Sequence, residues 1–499
     1  MTATSTPRAA AALSRHWPFA LVLGAAVLLR VATQLTYLPA VLYWDSYRYL
    51  ENAFTFNPAS AAPLGYSVLV VRPVLELGDL TWLPAANHLL GLGAGALLYA
   101  VVLRWSSRPW LAALASAPVL LDAYVLQIEQ MVMSDAAFLF VLAAGFAALT
   151  WRRRCRPAAA ALAGLLLGLA VTVRVVGAPL VLPAAAYVVL VGAGRPRQRV
   201  LTAALLAATF AVPVVALAVA YRAATGEWGL SPLGPRVSYA RVAPFADCDR
   251  VSAEVRSLCP PEPVGQRMMT DEYVWHPYSP ANRLIAAVGE DAAAPQLRAF
   301  TRQVVRAQPG ELVRRIAVDF LKGFAPTRST SPGDVPVERW HFQPYFLEWA
   351  LDGVTPTDLD EAMAMFGGGP RRMNLGLAVA LRAYQLSIGW VPGTLLAVAY
   401  VVGLAGAVAA RRDDGPLTAA ALLFAVSGLG LQLAASVYEF SWRYQLPALV
   451  FAPVAGALGV TALLRRRPRA ELAPQPQPAV RTGASRGDAA EEDGRAPGG

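Results

Sequence analysis

Tyr43-Trp44-Asp45-Ser46-Tyr47-Arg48-Tyr49-Leu50 stands directly after the first long apolar run, Trp17 to Ala40. An acid wrapped in aromatics at the mouth of a membrane helix is costly to place, so such a residue is a functional candidate by default. Trp44 and the tyrosines around it suit the headgroup level, where amphipathic rings settle. The stretch therefore predicts a first membrane span that delivers Asp45 to the water–lipid boundary.

The rest of the chain agrees with a membrane reading. Of 499 residues, 56% are hydrophobic and 15% charged, against about 25% charged in a typical soluble protein. Mean hydropathy is +0.44. The net charge of +10 is carried by arginines clustered in short loops between apolar runs. That is a topology signal and argues against a nucleic-acid partner. The first apolar run is long and has no convincing small-residue cleavage site, so it reads as a span and not as a cleaved signal.

Working outward, residues 1–16 form a cytoplasmic N-terminus and 17–220 an N-terminal transmembrane module. Residues 221–374 form a long extracytoplasmic region with its own structure, and 375–465 a C-terminal transmembrane module. Residues 466–499, rich in Pro, Gly and charge, read as a disordered cytoplasmic tail. The expected fold class is an all-α polytopic membrane protein, a bundle of about ten transmembrane helices. Gly65 to Leu77 is too short to span and reads as an interfacial helix. Gln296–Ala307, Glu311–Phe324 and Leu375–Ile388 read as amphipathic helices. Cys248 and Cys259 share the external region, where a disulfide is allowed. Cys155 lies in a cytoplasmic arginine loop and should stay reduced.

Under this topology the arginine clusters fall on one side. Asp45, Glu129, Asp135, Arg174, Glu439 and Arg443 fall on the other, each at the outer end of a span. The economical reading is a polar cavity that opens outward and is roofed by the long loop. Bland readings stand beside this one. Ser134-Asp135 is a good helix N-cap signature, Arg174 can snorkel to headgroups, and Arg443-Tyr444 can anchor at the interface. His276, in an aromatic run, reads as a packed loop residue.

These residues also meet a known pattern. The chain resembles the GT-C superfamily of membrane glycosyltransferases, which includes protein O-mannosyltransferases and lipid A aminoarabinose transferases. Asp45…Tyr49 matches the Asp-x-x-x-Tyr of the first outer loop, and Pro63-Leu64-Gly65-Tyr66 a following Pro-x-Gly-Tyr segment. Ser134-Asp135 matches a second acid at the start of a later span, and Arg174 an arginine at the outer end of a middle span. Arg443-Tyr444-Gln445-Leu446-Pro447 matches an Arg-Tyr-x-x-Pro opening to the last span. The resemblance covers about residues 17–225 and 390–465. It departs where Ser46 follows Asp45 in place of a second acid, and the 225–374 loop does not align.

The resemblance implies transfer of a sugar from a polyprenyl-phosphate donor to a glycan, lipid or protein acceptor at the outer face of the cell membrane. It implies Asp45 as the base for the acceptor hydroxyl, with Asp135 orienting the acceptor or helping to hold a divalent cation, and the metal question stays open. It implies Arg174 and Arg443 on the donor phosphate, because an arginine fork binds two oxygens. Tyr49, Tyr66, Glu129 and Tyr444 are expected to line the substrate site. The rival readings are a transporter or flippase of a lipid-linked envelope precursor and a non-catalytic envelope assembly factor.

Overall fold

The computed structural model of the chain describes residues 7–346, 356–410 and 414–465. The expected disordered tail, 466–499, lies outside the described residues. The chain is an all-α polytopic membrane bundle. Among the described residues, six helices are long and apolar enough to cross a membrane: Ser14–Thr36, Trp82–Ser106, Pro196–Thr225, Gly393–Ala410, Gly415–Tyr438 and Trp442–Leu464. Pro109–Leu121 and Ala123–Gln130 form a pair bent by 46°, and Asp135–Thr150, Pro157–Val173 and Val175–Val191 are shorter apolar helices. These segments fall where the sequence predicts ten spans, but only the six, or seven with the bent pair, have spanning length.

The bend sits at Asp122, whose extended backbone (ψ 121°) ends one helix while its side chain accepts from Tyr124 N at 3.0 Å to start the next. A broken helix inside a membrane must satisfy its freed carbonyls from elsewhere. Arg30 donates to Leu120 O at 2.7 Å, and the Tyr384 hydroxyl to Leu121 O at 2.6 Å. The Asp122 carboxylate accepts both terminal nitrogens of Arg328, at 3.1 and 2.9 Å, and Val391 N at 3.1 Å. One buried acid thus joins the N-terminal helices, the external region and the start of a C-terminal span.

Glu129, expected at the outer end of a span, stands instead inside the buried helix Ala123–Gln130. Glu129 is 1% exposed; its Oε1 accepts from Arg30 Nη2 at 2.9 Å and its Oε2 lies 2.8 Å from His88 Nδ1. A Cβ on Gly91 would collide with Glu129 Oε1 and come within 2.9 Å of Arg30 Nη2. Glycine there leaves the space this ion pair needs.

Within residues 221–374, expected from sequence to lie outside, a second core forms from Tyr239, Tyr273, Leu297, Phe300 and Val304. Its helices include Gly234–Val242, Thr270–Trp275, Glu290–Ala307 and Pro309–Lys322, the last two close to the amphipathic helices expected from sequence. Cys248 and Cys259 form a disulfide with their Cα atoms 6.0 Å apart, and Cys155 is a free, buried thiol. Leu375–Ser387 is helical. Just before it, Arg372–Met373 pairs antiparallel with Tyr37–Leu38, tying this segment to the end of the first span.

The two ends of the bundle differ in chemistry. At one, Arg153 and Arg465 both meet Asp414, at 2.8 and 3.4 Å. At the other, the helix Trp44–Thr55 lines a cavity, and the segment Leu64–Leu77, helical throughout, packs against that helix. A Cβ on Gly65 would lie 2.5 Å from the carbonyl carbon of Thr172. Glycine in Pro63-Leu64-Gly65-Tyr66 therefore lets the first outer loop touch the end of the helix that leads into Arg174.

Candidate active site

Asp45 stands in the first turn of the helix Trp44–Thr55, which starts where the Tyr43 N–H donates to Ser46 Oγ at 2.8 Å. A carboxylate in the first turn suits the positive end of the helix dipole. Arg48, three residues on, donates to Asp45 Oδ1 at 3.2 Å. Arg443 donates through Nη1 to Asp45 Oδ2 at 3.1 Å. Its other edge grips Asp135: Nε lies 3.1 and 3.0 Å from the two carboxylate oxygens and Nη2 2.8 Å from Oδ2. Arg174 Nη1 then donates to Asp135 Oδ1 at 2.9 Å. The result is a continuous chain Arg48–Asp45–Arg443–Asp135–Arg174. Within this chain three guanidinium groups face two carboxylates, while the cavity lining as a whole carries four arginines and five acids.

The two acids are not equivalent. The Asp45 side chain keeps 27% exposure, whereas that of Asp135 keeps 7%. Asp45 therefore has an open side toward a cavity of about 630 Å³. The opposite wall comes from residues 271–340 and carries Asp271, Trp275, His276, Arg339 and Trp340. Three of the four arginines here lie against both an acid and an indole. Arg48 covers the Trp275 ring at 4.2 Å, Arg443 the Trp340 ring at 5.6 Å and Arg339 the Trp44 ring at 5.1 Å, while Arg339 Nη1 donates to Asp271 Oδ2 at 2.8 Å. Such stacking holds planar guanidinium groups in place. Burial raises the Asp271 carboxyl above its ordinary range, against the pull of Arg339.

Four of the residues predicted from sequence to serve catalysis or phosphate binding, Asp45, Asp135, Arg174 and Arg443, meet in this one cluster. Tyr49 and Tyr444 also line the cavity. Tyr49 hydroxyl lies 2.8 Å from Ser134 Oγ, and Tyr444 donates to Glu439 Oε1 at 3.2 Å beneath the Arg174 guanidinium. Two placements need correction. Glu129 is absent from the lining because Arg30 and His88 hold it inside the helix bundle. Tyr66 lies behind Tyr49, fully buried, donating to Asn87 Oδ1 at 3.1 Å. Arg443 is also more committed than a free phosphate ligand, since both its edges are spent on acids. His276 lines the cavity where the sequence reads as loop packing.

The cluster does not fit a divalent cation. Arg443 lies between Asp45 and Asp135 and bonds to both, in the place a bridging ion would need. Among the described residues, no group of three or more His, Cys, Asp or Glu side chains gathers to hold a metal. Sequence reasoning missed Arg48, Asp271, Arg339 and Trp340. Arg48 was visible one turn after Asp45. The other three had no periodic signal to mark them.

Residues 77–223 match the family profile of dolichyl-phosphate-mannose-protein mannosyltransferases. No curated protein matches the chain. Among solved structures, the oligosaccharyltransferase AglB of Archaeoglobus fulgidus, in complex with an inhibitory peptide and a dolichol-phosphate, aligns at 13% identity and TM-score 0.40, over 91% of this chain and 51% of its own. ArnT of Cupriavidus metallidurans, bound to undecaprenyl phosphate, aligns at 15% identity and TM-score 0.35, over 89% and 77%. The Pmt1–Pmt2 protein O-mannosyltransferase complex of S. cerevisiae, bound to the sugar donor, aligns at 16% identity and TM-score 0.32, over 50% and 38%. The chain spans about half the length of the archaeal oligosaccharyltransferase. Over residues 77–223, the chain is thus similar to a family of membrane glycosyltransferases, the dolichyl-phosphate-mannose-protein mannosyltransferases.

Proposed function

We propose that the protein is a membrane glycosyltransferase that moves a sugar from a polyprenyl-phosphate donor to an acceptor hydroxyl at the extracytoplasmic face. The observation that carries this reading is the Arg48–Asp45–Arg443–Asp135–Arg174 chain lining one cavity. It offers a carboxylate open to solvent beside guanidinium groups fixed in place. Those are the two things such a transfer needs.

In the step itself, the acceptor oxygen attacks the anomeric carbon and its proton passes to Asp45. The bond between that carbon and the phosphate oxygen breaks, and the polyprenyl phosphate leaves with one more negative charge than it brought. Cations fixed in advance where charge develops contribute most to such a step. Arg174 is the phosphate ligand, since only one of its nitrogens is spent on Asp135. Arg443 and Asp135 are positioning residues that hold Asp45 and Arg174 in register. Trp275, His276 and Trp340 form the acceptor side of the cavity.

The charge pattern supports an outer placement of the cavity. The arginine loops that meet Asp414 lie at the opposite end of the bundle, and short loops rich in arginine stay in the cytoplasm. The module boundaries at residues 17–220, 221–374 and 375–465 and the cytoplasmic termini belong to the same reading. A transporter would place its broken helix on a substrate path. Here the break at Asp122 is sealed by Arg328, the pair being 0% and 2% exposed.

The test is a transfer assay in proteoliposomes with labelled donor and an envelope extract as acceptor. Free polyprenyl phosphate and a labelled acceptor should appear together with the parent protein and not with Asp45→Asn. Label that crosses the bilayer while still on its lipid would replace this reading with a flippase.

A further inference from the structure

The cavity holds one more buried carboxyl, and it is bonded differently from the rest. Asp45 and Asp135 share Arg443, and Asp271 has Arg339. Glu439, 5% exposed, has no ion-pair partner among the described residues; its side-chain contact is the Tyr444 hydroxyl, which donates to Oε1 at 3.2 Å. The charged groups around it are engaged elsewhere. Arg339 is bonded to Asp271, and Arg241 donates to Asp319 Oδ2 at 2.7 Å. The other acids lining the cavity are Asp45, Asp135, Asp271 and Glu272, and of these Asp271 acts most strongly on Glu439. Tyr438, beside Glu439 in the chain, also lines the cavity and is uncharged at neutral pH.

An ionised carboxylate buried without a cation is unfavourable, and the usual relief is to keep its proton. Burial, and after it the Asp271 charge, hold the Glu439 carboxyl well above the ordinary carboxylate range. A protonated carboxyl with one oxygen accepting from Tyr444 still has an O–H to donate. Tyr444 lies under the Arg174 guanidinium, 5.8 Å from ring centre to Cζ. Tyr444 thus links the Arg174 guanidinium to Glu439, and all three line the same cavity.

We propose that Glu439 is a neutral carboxylic acid that hydrogen-bonds an oxygen of the phosphate held by Arg174, so that loss of its proton weakens phosphate binding. The proposal rests on the reading of the cavity as a lipid-phosphate site. Recognition by a neutral donor adds no charge of its own. Ionisation puts a negative charge next to the phosphate and removes the bond at the same time. The acid is thus both a phosphate contact and an alkaline switch on affinity.

The test uses the full-length protein in nanodiscs and a short-chain polyprenyl phosphate as probe, with binding followed from neutral to alkaline pH. The parent should lose affinity by about tenfold or more as Glu439 ionises, as expected for a like charge at close range in a protein site. Glu439→Gln cannot ionise and should not show that loss. Glu439→Ala should bind weakly across the range. Infrared difference spectra of the parent should show a protonated-carboxyl C=O band at neutral pH that Glu439→Gln lacks. An alkaline loss equal in parent and Glu439→Gln, the absence of that band, or no binding of the probe by the parent at any pH each overturns the proposal. A parent that binds the probe with the expected pH dependence yet transfers no sugar would refute the transferase reading and leave this one standing.

Discussion

At the scale of single residues, the cluster separates roles that sequence alone assigns together. Arg174→Ala should weaken binding of a polyprenyl phosphate by about 1.5–3 kcal/mol, the worth of a hydrogen bond to a charged group, read by titration calorimetry. Arg443→Ala should act otherwise. It leaves Asp45 and Asp135 facing each other without the guanidinium between them, so both activity and thermal stability should fall. Arg443→Lys should not restore them, because a compact ammonium lacks the two separated edges with which the guanidinium spans the acids. If Arg443→Ala lost only donor affinity, Arg443 would be a phosphate ligand after all. Glu439 adds a pH dependence to stability. Its native carboxyl holds a proton above the ordinary glutamate pKa of about 4.3, so over that window the native state binds more protons than the unfolded one. Stability therefore falls as pH rises through the window and levels off once the native carboxyl ionises. Glu439→Gln should flatten that fall in thermal melts; an unchanged slope would show that Glu439 is ionised in the native state.

At the scale of elements, two contacts hold the site in place. Gly65→Ala puts a Cβ 2.5 Å from Thr172 backbone, and that backbone cannot swing aside as a long side chain would. The first outer loop should shift away from Arg174, and sugar transfer should drop more than folding stability does. Replacing Arg328 by Met should cost about 3–5 kcal/mol of stability, the usual penalty for leaving one partner of a buried pair uncompensated; chemical denaturation with a cost below 1 kcal/mol would contradict the bridging role. These elements also show what the sequence made legible. Asp45, Asp135, Arg174 and Arg443 each stood as a lone charge at the end of an apolar run, and a charge beside hydrocarbon is conspicuous. Glu129 stood in the same way, but its partner Arg30 was hidden inside the first apolar run, 99 residues earlier. Asp122, the residue that breaks the bent helix, lay inside the run Trp110 to Tyr124, which reads as one span. Asp271, Arg339 and Trp340 belong to a region of short helices and 3₁₀ turns, where no hydrophobic period says which side chains turn inward.

At the scale of the whole molecule, the account needs two membrane modules that share a cavity under one external domain. Arg48 meets Trp275, Arg339 meets Trp44, and Arg328 meets Asp122 and, at 3.2 Å, Gln445. Each contact ties the external region to a membrane module, so the cavity exists only when all three parts are docked. Impermeant thiol labelling of single cysteines introduced at positions 194 and 300 should find the first protected inside the cell and the second accessible outside; the reverse would invert the topology. The central claim is that Asp45 takes the acceptor proton in a sugar transfer from a lipid phosphate. Its most direct test is single-turnover transfer by Asp45→Asn at saturating donor and acceptor, beside donor affinity measured on the same preparation. The account predicts a rate lower by about two to four orders of magnitude with donor affinity retained. A folded Asp45→Asn protein that turns over at nearly the parental rate would contradict it.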